Sequence, residues 1–473
     1  MKRPNVVYVF GDQWRAQSTG YGGNTDVATP HLDRLADESV NFEYAVAGVP
    51  VCSPSRGCLL TGQTALTHGI FVNDVPIRPA GPSIAEAFSS AGYATGYVGK
   101  WHVDGQGRSN FIPPDRQFGF DHWQVLECTH DYNNSPYYEG DSPEQVAWDG
   151  YDAFAQTDAA IEYMNERDAS KPFLLMLSWG PPHAPYHTAP DEYRAMYDGE
   201  TVGLPANVPA EVADAARRDL AGYYAHCTAL DDCVGRLLTT LDDLGIADDT
   251  IFVFTSDHGD MIGSQGLWKK QNPWDESIRI PLLIRYPALL GRDGRHVTDT
   301  TIDVLDMMPT LLGLADAPIP ESVEGRDFSG FLRGGDIPGD GATVIACYHP
   351  FGQWRTDEGS PGARAYLDGL ADDSARAAAH EKLRGREYRG LRTPQHTYVR
   401  ALDGPWLLYD NAADPHQLYN LVGHPEHADL ARTLDAKLDE HLAGRGDEFL
   451  PGAAYLAEWD YEVDEFGTVP YRN

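Results

Sequence analysis

Asn5-Val6-Val7-Tyr8-Val9-Phe10-Gly11-Asp12 is a run of β-branched and aromatic residues closed by a glycine and a carboxylate. Such residues favour a buried, pleated strand, and the Gly-Asp ending marks where it stops. Working outward, the same pattern returns. Strands are expected at Ala94–Val98, Phe173–Ser178 and Ile251–Thr255, with helices at Ala85–Ala91 and Ala221–Leu244. Strands alternating with helices give an α/β fold, a large mixed, mostly parallel sheet sandwiched by helices. In sheets of this kind ligands sit at the carboxyl ends of the strands. The polar residues following the expected strands are Asp12, then Lys100 and His102, then His183, then Asp257 and His258. Singly each is an ordinary strand ending, but together they bring carboxylates, imidazoles and an ammonium to one edge.

Further along, Arg333–Gly341 is rich in Gly and Asp and reads as a linker. Strands are expected beyond it at Ala342–Cys347, Tyr388–Leu391, His396–Ala401 and Trp406–Tyr409, with a charged helix around Ser374–Arg384 and a closing helix at Ala428–Leu442. The expected division is a large domain over 1–335 and a smaller C-terminal α+β subdomain, an antiparallel sheet plus helix, over 342–473.

Composition narrows the class of function. With 36 basic against 71 acidic residues the formal charge is −35. That argues against a nucleic-acid binder, which holds phosphates with clustered Lys and Arg. Six cysteines in 473 residues form no disulfide framework and no CxxC pair. Asn5–Phe10 is too short for the core of a signal peptide, and no run of about 18 apolar residues offers a membrane span. The expected location is cytoplasmic as the sequence stands, or periplasmic or secreted if a leader has been removed.

The most specific string is Val49-Pro50-Val51-Cys52-Ser53-Pro54-Ser55-Arg56-Gly57. Ser53 is a favourable N-cap and Pro54 suits the first helical position, so a helix is expected from there to about Leu60, with Cys52 just ahead of it. An anion beside Cys52 would face free backbone N–H groups and the positive end of the helix dipole, with Arg56 one turn in.

Cys52-Ser53-Pro54-Ser55-Arg56-Gly57, with Leu60-Thr61-Gly62 after it, resembles the signature of the type I, formylglycine-dependent sulfatases of the alkaline phosphatase-like superfamily. The resemblance continues through Asn5–Gly22, Thr29–Ala36, Gly96–His102, Pro181–Pro185, Thr255–Asp260, Gly266–Lys270 with Glu276–Pro281, and the tail from Leu408 to Leu421, all in the family's order. It implies a sulfatase catalytic domain that cleaves a sulfate ester, of a carbohydrate or a small organic alcohol, to alcohol and inorganic sulfate. The nucleophile would be the hydrate of formylglycine made from Cys52 by a formylglycine-generating enzyme. One hydroxyl attacks sulfur, and the second is deprotonated to release the sulfate and restore the aldehyde, which splits one displacement into two steps.

The resemblance also assigns roles. Asp12, Gln13, Asp257, His258 and the side chain at Cys52 are the implied ligands of one divalent cation. Oxygen donors favour Ca²⁺, while Gln13 in place of a second Asp leaves Mn²⁺ or Mg²⁺ open. Arg56, Lys100 and Lys270 are the implied cations around the sulfate. His102 is the implied base that breaks down the sulfated intermediate, and His183 the acid serving the departing alcohol or a sulfate-binding group. Trp101, His130, Tyr132, Tyr186, His187, Trp354 and Arg355 are candidates for contact with a sugar, in an irregular insertion around Trp123–Tyr138 and the neighbouring loops. Asp12-Gln13-Trp14-Arg15 equally resembles the phosphonate monoester and phosphodiester hydrolases that share the fold and the nucleophile. A binding module that had lost turnover is the third reading, and the full set of polar residues speaks against it.

Overall fold

All eight residues of the opening run are buried in the computed structural model, which describes residues 3–350, 385–464 and 467–470. They form β1 (Asn5–Asp12). Its side chains alternate as the pleat dictates: Val6, Tyr8 and Phe10 enter one core, and Val7 and Val9 enter the core on the opposite face. A strand apolar on both faces belongs in the middle of a covered sheet.

There β1 lies in parallel between β7 (Phe173–Pro182) and β8 (Thr250–Ser256). The other strands of this sheet are β2 (Val40–Val46), β3 (Ala94–Lys100), β4 (His122–Leu126), β5 (Pro136–Glu139), β6 (Gln145–Ala147), β9 (Leu283–Arg285) and β10 (Arg295–Asp303). The order is β10-β2-β9-β8-β1-β7-β3-β4-β5-β6. Strand β9 runs antiparallel to both neighbours, and β5 and β6 close the far edge antiparallel, so the sheet is mixed but parallel at its centre. A 31-residue helix, Ala213–Asp243, covers the Val7–Val9 face through Leu220, Leu230 and Leu237.

The expected elements are present, with shifted ends. The long helix begins at Ala213 rather than Ala221, because Ala213–Asp219 is helical but polar and shows little apolar periodicity. The insertion expected to be irregular over Trp123–Tyr138 contains β4 and β5, which extend the sheet beyond β3.

A second, antiparallel sheet comprises β11 (Thr343–Cys347), β12 (Tyr388–Arg392), β13 (His396–Ala401) and β14 (Gly404–Asp410), in that order. Helix Ala428–Gly444 lays Leu434, Leu438 and Leu442 against Tyr398 and Leu408 of this sheet. A further helix, Gly452–Glu458, was not expected; its Tyr455 and Leu456 join the same core cluster as Tyr8 and Phe10. Residues from both sides of 335–342 therefore share apolar packing. The expected helix at Ser374–Arg384 lies outside the described residues.

Candidate active site

Parallel register places the site. Gly11 of β1 faces Ser256 of β8, and Asp12 faces Pro182 of β7 across a bulge. The residues after these three endings, Gln13, Asp257-His258 and His183, therefore meet at one point. Gln13 takes a left-handed φ of 73°, and its N–H donates to Asp257 Oδ1 at 3.0 Å. Strand β3 joins through Gly99, whose φ is 105° and where a Cβ would lie 2.0 Å from the Ser178 carbonyl oxygen. No side chain fits there, and the close approach brings Lys100 Nζ to 2.6 Å from Asp12 Oδ2.

The signature string forms helix Cys52–Thr61, N-capped by Val51 in extended conformation. The expected start at Ser53-Pro54 is thus two residues late. Proline lacks an N–H, but the first-turn N–H groups have no intrahelical partner anyway, so Pro54 is accommodated at the third position as well as at the first. Cys52 accordingly stands at the first helical residue, 3.2 Å from His258 Nε2 and 3.6 Å from Asp12 Oδ1. If residue 52 is formylglycine, its Sγ here stands in for an oxygen of that group. Burial and the Asp12 charge oppose ionisation of the thiol, yet Lys270, Lys100 and His258 outweigh them and hold it well below the ordinary thiol value.

Arg56, one turn on, is 1% exposed and fully engaged. Its Nε donates to Asp257 Oδ2 at 2.9 Å, one terminal nitrogen to Asp12 Oδ2 at 3.3 Å, and the other to the Lys100 carbonyl at 2.8 Å and Ser178 Oγ at 2.7 Å. The guanidinium also lies over the Phe10 ring, 5.0 Å from its centroid. It braces the two carboxylates. Lys270 holds a more open position, donating from Nζ to Gln13 Oε1 at 2.7 Å and lying 2.8 Å from His183 Nε2.

The donor set suits a cation. Donor atoms of Asp12, Cys52, Asp257 and His258 all lie within 4.8 Å of one another, and all four residues are buried. That spread is about twice a Ca–O bond of roughly 2.4 Å. His258 Nδ1 lies 2.9 Å from the Gly259 carbonyl oxygen, which leaves Nε2, the nitrogen near Asp12 and Cys52, as a lone-pair donor.

The histidines divide clearly. Burial, followed by Lys270, drives the His183 pKa well below its ordinary value, and its Nδ1 lies 2.7 Å from the Ala184 carbonyl oxygen. A neutral ring with a hydrogen on Nδ1 therefore turns the Nε2 lone pair to Lys270. His102 is 3.5 Å from Asp74 Oδ1, and Asp74 is gripped by both Arg108 nitrogens at 2.9 Å. Burial lowers the His102 pKa, but Cys128, Asp74 and Cys52 push it up to about 10 against Lys100. Two of those three partners are thiols, and conversion of Cys52 removes one of them. His130 stacks on His183 with centroids 4.6 Å apart, so it stands at the pocket.

The structure places the remaining candidates differently. Trp101 is 0% exposed and packs edge-on against Tyr97 and Trp123, so it is core rather than a sugar platform. Tyr132 and Tyr186 are buried likewise, and His187 is exposed on a short helical turn, Tyr186–Thr188. Trp354 and Arg355 lie outside the described residues. Sequence reasoning missed Asp74, Arg108, Ser178, Cys128 and Asp260, which reach the site from loops and strand interiors with no local pattern. Cys128 is buried near Lys100, His102 and His130; burial raises its pKa, and Lys100 followed by His102 pulls it well below the ordinary value.

A buried cysteine at a helix start, two carboxylates and an imidazole close enough to hold one cation, and flanking ammonium groups make a candidate metal site suited to an anionic ester. The comparisons with known proteins sharpen this. The family model described as Sulfatase matches residues 4–317. An ulvan-active sulfatase of Formosa agariphila is 41% identical over 462 residues, covering 97% of this chain and 85% of its own. An N-acetylglucosamine-6-O-sulfatase of Bacteroides thetaiotaomicron is 27% identical, covering 93% of this chain and 86% of its own. A solved structure, described as the putative sulfatase yidJ from Bacteroides fragilis, superposes with a TM-score of 0.79 at 28% identity, covering 95% of this chain and 97% of that one. The chain belongs to the sulfatase family and is a sulfuric ester hydrolase.

Proposed function

We propose that this sulfatase removes sulfate from a saccharide, with residue 52 matured from cysteine to formylglycine by a dedicated generating enzyme. A divalent cation, Ca²⁺ ahead of Mn²⁺ or Mg²⁺, is held by Asp12, Asp257 and His258 with Gln13. The observation carrying this reading is the buried cluster itself, in which Cys52 Sγ sits among Asp12, His258 and the ammonium groups of Lys100 and Lys270. The saccharide is supported by the name of the N-acetylglucosamine-6-O-sulfatase relative, and the ulvan-active relative extends the choice towards polysaccharide.

When bound, the cation supplies positive charge beside residue 52, and the aldehyde hydrate supplies the attacking hydroxyl. The remaining work falls to side chains of this chain. Arg56 holds Asp12 and Asp257 in place against their mutual repulsion. Lys100 and Lys270 offset the negative charge of the sulfate group and of the oxygen that leaves. His183, its Nδ1 hydrogen tied to the Ala184 carbonyl, accepts from the Lys270 ammonium through Nε2 and so holds Lys270 beside that oxygen. His102, oriented by Asp74 and Arg108, takes the proton that releases the sulfate in its neutral form, which conversion of Cys52 favours by removing one of the groups that push its pKa up. His130 lines the approach beside His183.

The test is to produce the protein with a formylglycine-generating enzyme and examine the peptide containing residue 52 by mass spectrometry. The same preparation is then assayed on a sulfated oligosaccharide and on a phosphate diester. An aldehyde at 52 and preference for the sulfate ester are expected. Active enzyme carrying only unmodified Cys52, or preference for the phosphate diester, would overturn the reading.

A further inference from the structure

We propose that the cleft between the loop at 15–26 and the segment at 276–281 is a second, non-catalytic saccharide site, which holds a sugar unit carrying one negative charge through the buried guanidinium of Arg15. The cleft encloses about 460 Å³, and none of the residues assigned to the cation or the sulfate lines it. Arg15 does line it, and is 1% exposed. Its Nε donates to Ser18 Oγ at 3.0 Å, and one terminal nitrogen makes a long contact of 3.5 Å with the Asp260 carbonyl oxygen. Among the described residues its other terminal nitrogen has no hydrogen-bond partner, and no carboxylate forms an ion pair with the guanidinium. Arginine keeps its charge in proteins, and a buried charge without a counter-charge is costly.

The acidic groups of the cleft are engaged elsewhere. Glu43 Oε1 accepts from Arg279 at 2.6 Å, Glu276 Oε1 from the Asn207 amide at 2.6 Å, and Asp26 from the Gly203 N–H at 2.9 Å. Arg15 is therefore the lining cation left for a ligand. One anionic group satisfies it, whereas a doubly charged ion would face the three carboxylates of the same cleft. The rest of the lining suits sugar hydroxyls and a sugar ring. Gln17, Asn24 and Asn41 bring amides that both donate and accept, and Tyr21, Phe42 and Tyr224 bring aromatic surface. The volume falls within the roughly 300–1,000 Å³ of small-molecule sites and far exceeds what a sulfate ion fills. Holding one unit of a chain there keeps the other units near the enzyme between turnovers.

That the ligand is a saccharide rests on the substrate proposed above; the anion at Arg15 does not. The test uses protein with unmodified Cys52 and Lys270→Ala, so that binding is read without maturation and without the open cation of the catalytic pocket. A failure of the sulfatase reading then shows only in turnover, which is measured separately. Glucuronate, glucose 6-sulfate, glucose and inorganic phosphate are titrated by calorimetry into this parent and into the same protein carrying Arg15→Met or Asn41→Trp. Arg15→Met removes the charge. Asn41→Trp leaves Arg15 in place and fills the cleft from β2, where Asn41 is half-buried, so it keeps the test decisive if Arg15→Met does not fold. Expected is binding of glucuronate or glucose 6-sulfate to the parent, the two arms telling a carboxylate from a sulfate, with glucose and phosphate at least about tenfold weaker. Each variant should weaken the preferred sugar by at least about tenfold, from the loss of one charge-assisted bond or of the space itself. No saturable binding of either charged sugar below about 10 mM overturns the proposal. Binding that survives Asn41→Trp refutes it as well, and phosphate held as tightly as the charged sugar reduces the cleft to an adventitious ion site.

Discussion

Arg56→Lys should destabilise the protein by about 3 kcal/mol although it keeps the charge, because the site uses the shape of the guanidinium. In the structure the fork bridges Asp257 at 2.9 Å, Asp12 at 3.3 Å, the Lys100 carbonyl at 2.8 Å and Ser178 Oγ at 2.7 Å. A lysine ammonium is a single point and reaches one or two of these. Hydrogen bonds to charged groups contribute about 1.5–3 kcal/mol each, so losing two of them costs roughly 3 kcal/mol after the ammonium has satisfied the rest. Arg56→Ala removes the partner altogether, leaving Lys100 paired with Asp12 and Asp257 without its guanidinium, for which about 5 kcal/mol is expected. The measurement is chemical denaturation followed by tryptophan fluorescence on metal-free protein carrying unmodified Cys52. This form avoids confusion with maturation, since Arg56 stands four residues from the position to be matured. A loss below about 1 kcal/mol for Arg56→Lys, or equal losses for the two variants, would refute the bridging role.

Three further outcomes are expected. His68 and His226 are fully buried, and burial lowers the pKa of each to about 3. An unfolded histidine takes its proton near pH 6.5, so between about pH 6.5 and 3 the unfolded state binds more protons and stability falls as the pH falls, by up to about 1.4 kcal/mol per pH unit per group; His68→Asn should flatten the denaturation midpoint plotted against pH, and an unchanged slope would contradict this. Gly57→Ala should lower stability by about 1–3 kcal/mol in the same denaturation assay, because the new Cβ would lie 2.5 Å from the His68 ring. Finally, with a net charge of −35 and a Debye length of about 8 Å at physiological salt, kcat/KM for a small sulfate ester should rise from very low to moderate salt, mainly through KM; a flat or falling series would place the acidic residues away from the pocket mouth.

How far the site could be read from sequence depended on where each residue stands relative to a strand end. Asp12, Lys100, His183, Asp257 and His258 follow strands, and a parallel sheet brings such endings together whatever lies between them, so their convergence was legible. The start of the signature helix was not, because a first-turn proline fits at more than one position and cannot tell Cys52 from Ser53 as the first residue. Trp101 stands between Lys100 and His102, and adjacency gave no means of seeing that its ring turns into the Tyr97–Trp123 cluster while its neighbours face the site. Asp74, Cys128 and Asp260 act through contacts with residues 28, 26 and 247 positions away in the chain respectively. No local periodicity encodes such pairings.

The charge at the site runs against that of the chain, and the packing explains how the two coexist. The chain carries 71 acidic against 36 basic residues. Around Cys52, by contrast, Arg56, Lys100 and Lys270 stand against Asp12 and Asp257, before any cation is added. Arg56 and Lys100 are buried at 1% and 5% exposure, where charges interact far more strongly than across solvent. Their ion pairs with Asp12 and Asp257 therefore hold the two carboxylates in place. Lys270 is bound to a neutral amide and a neutral imidazole instead of a carboxylate, so its charge is not spent on an internal partner. Of the three it is the cation best able to meet an incoming sulfate.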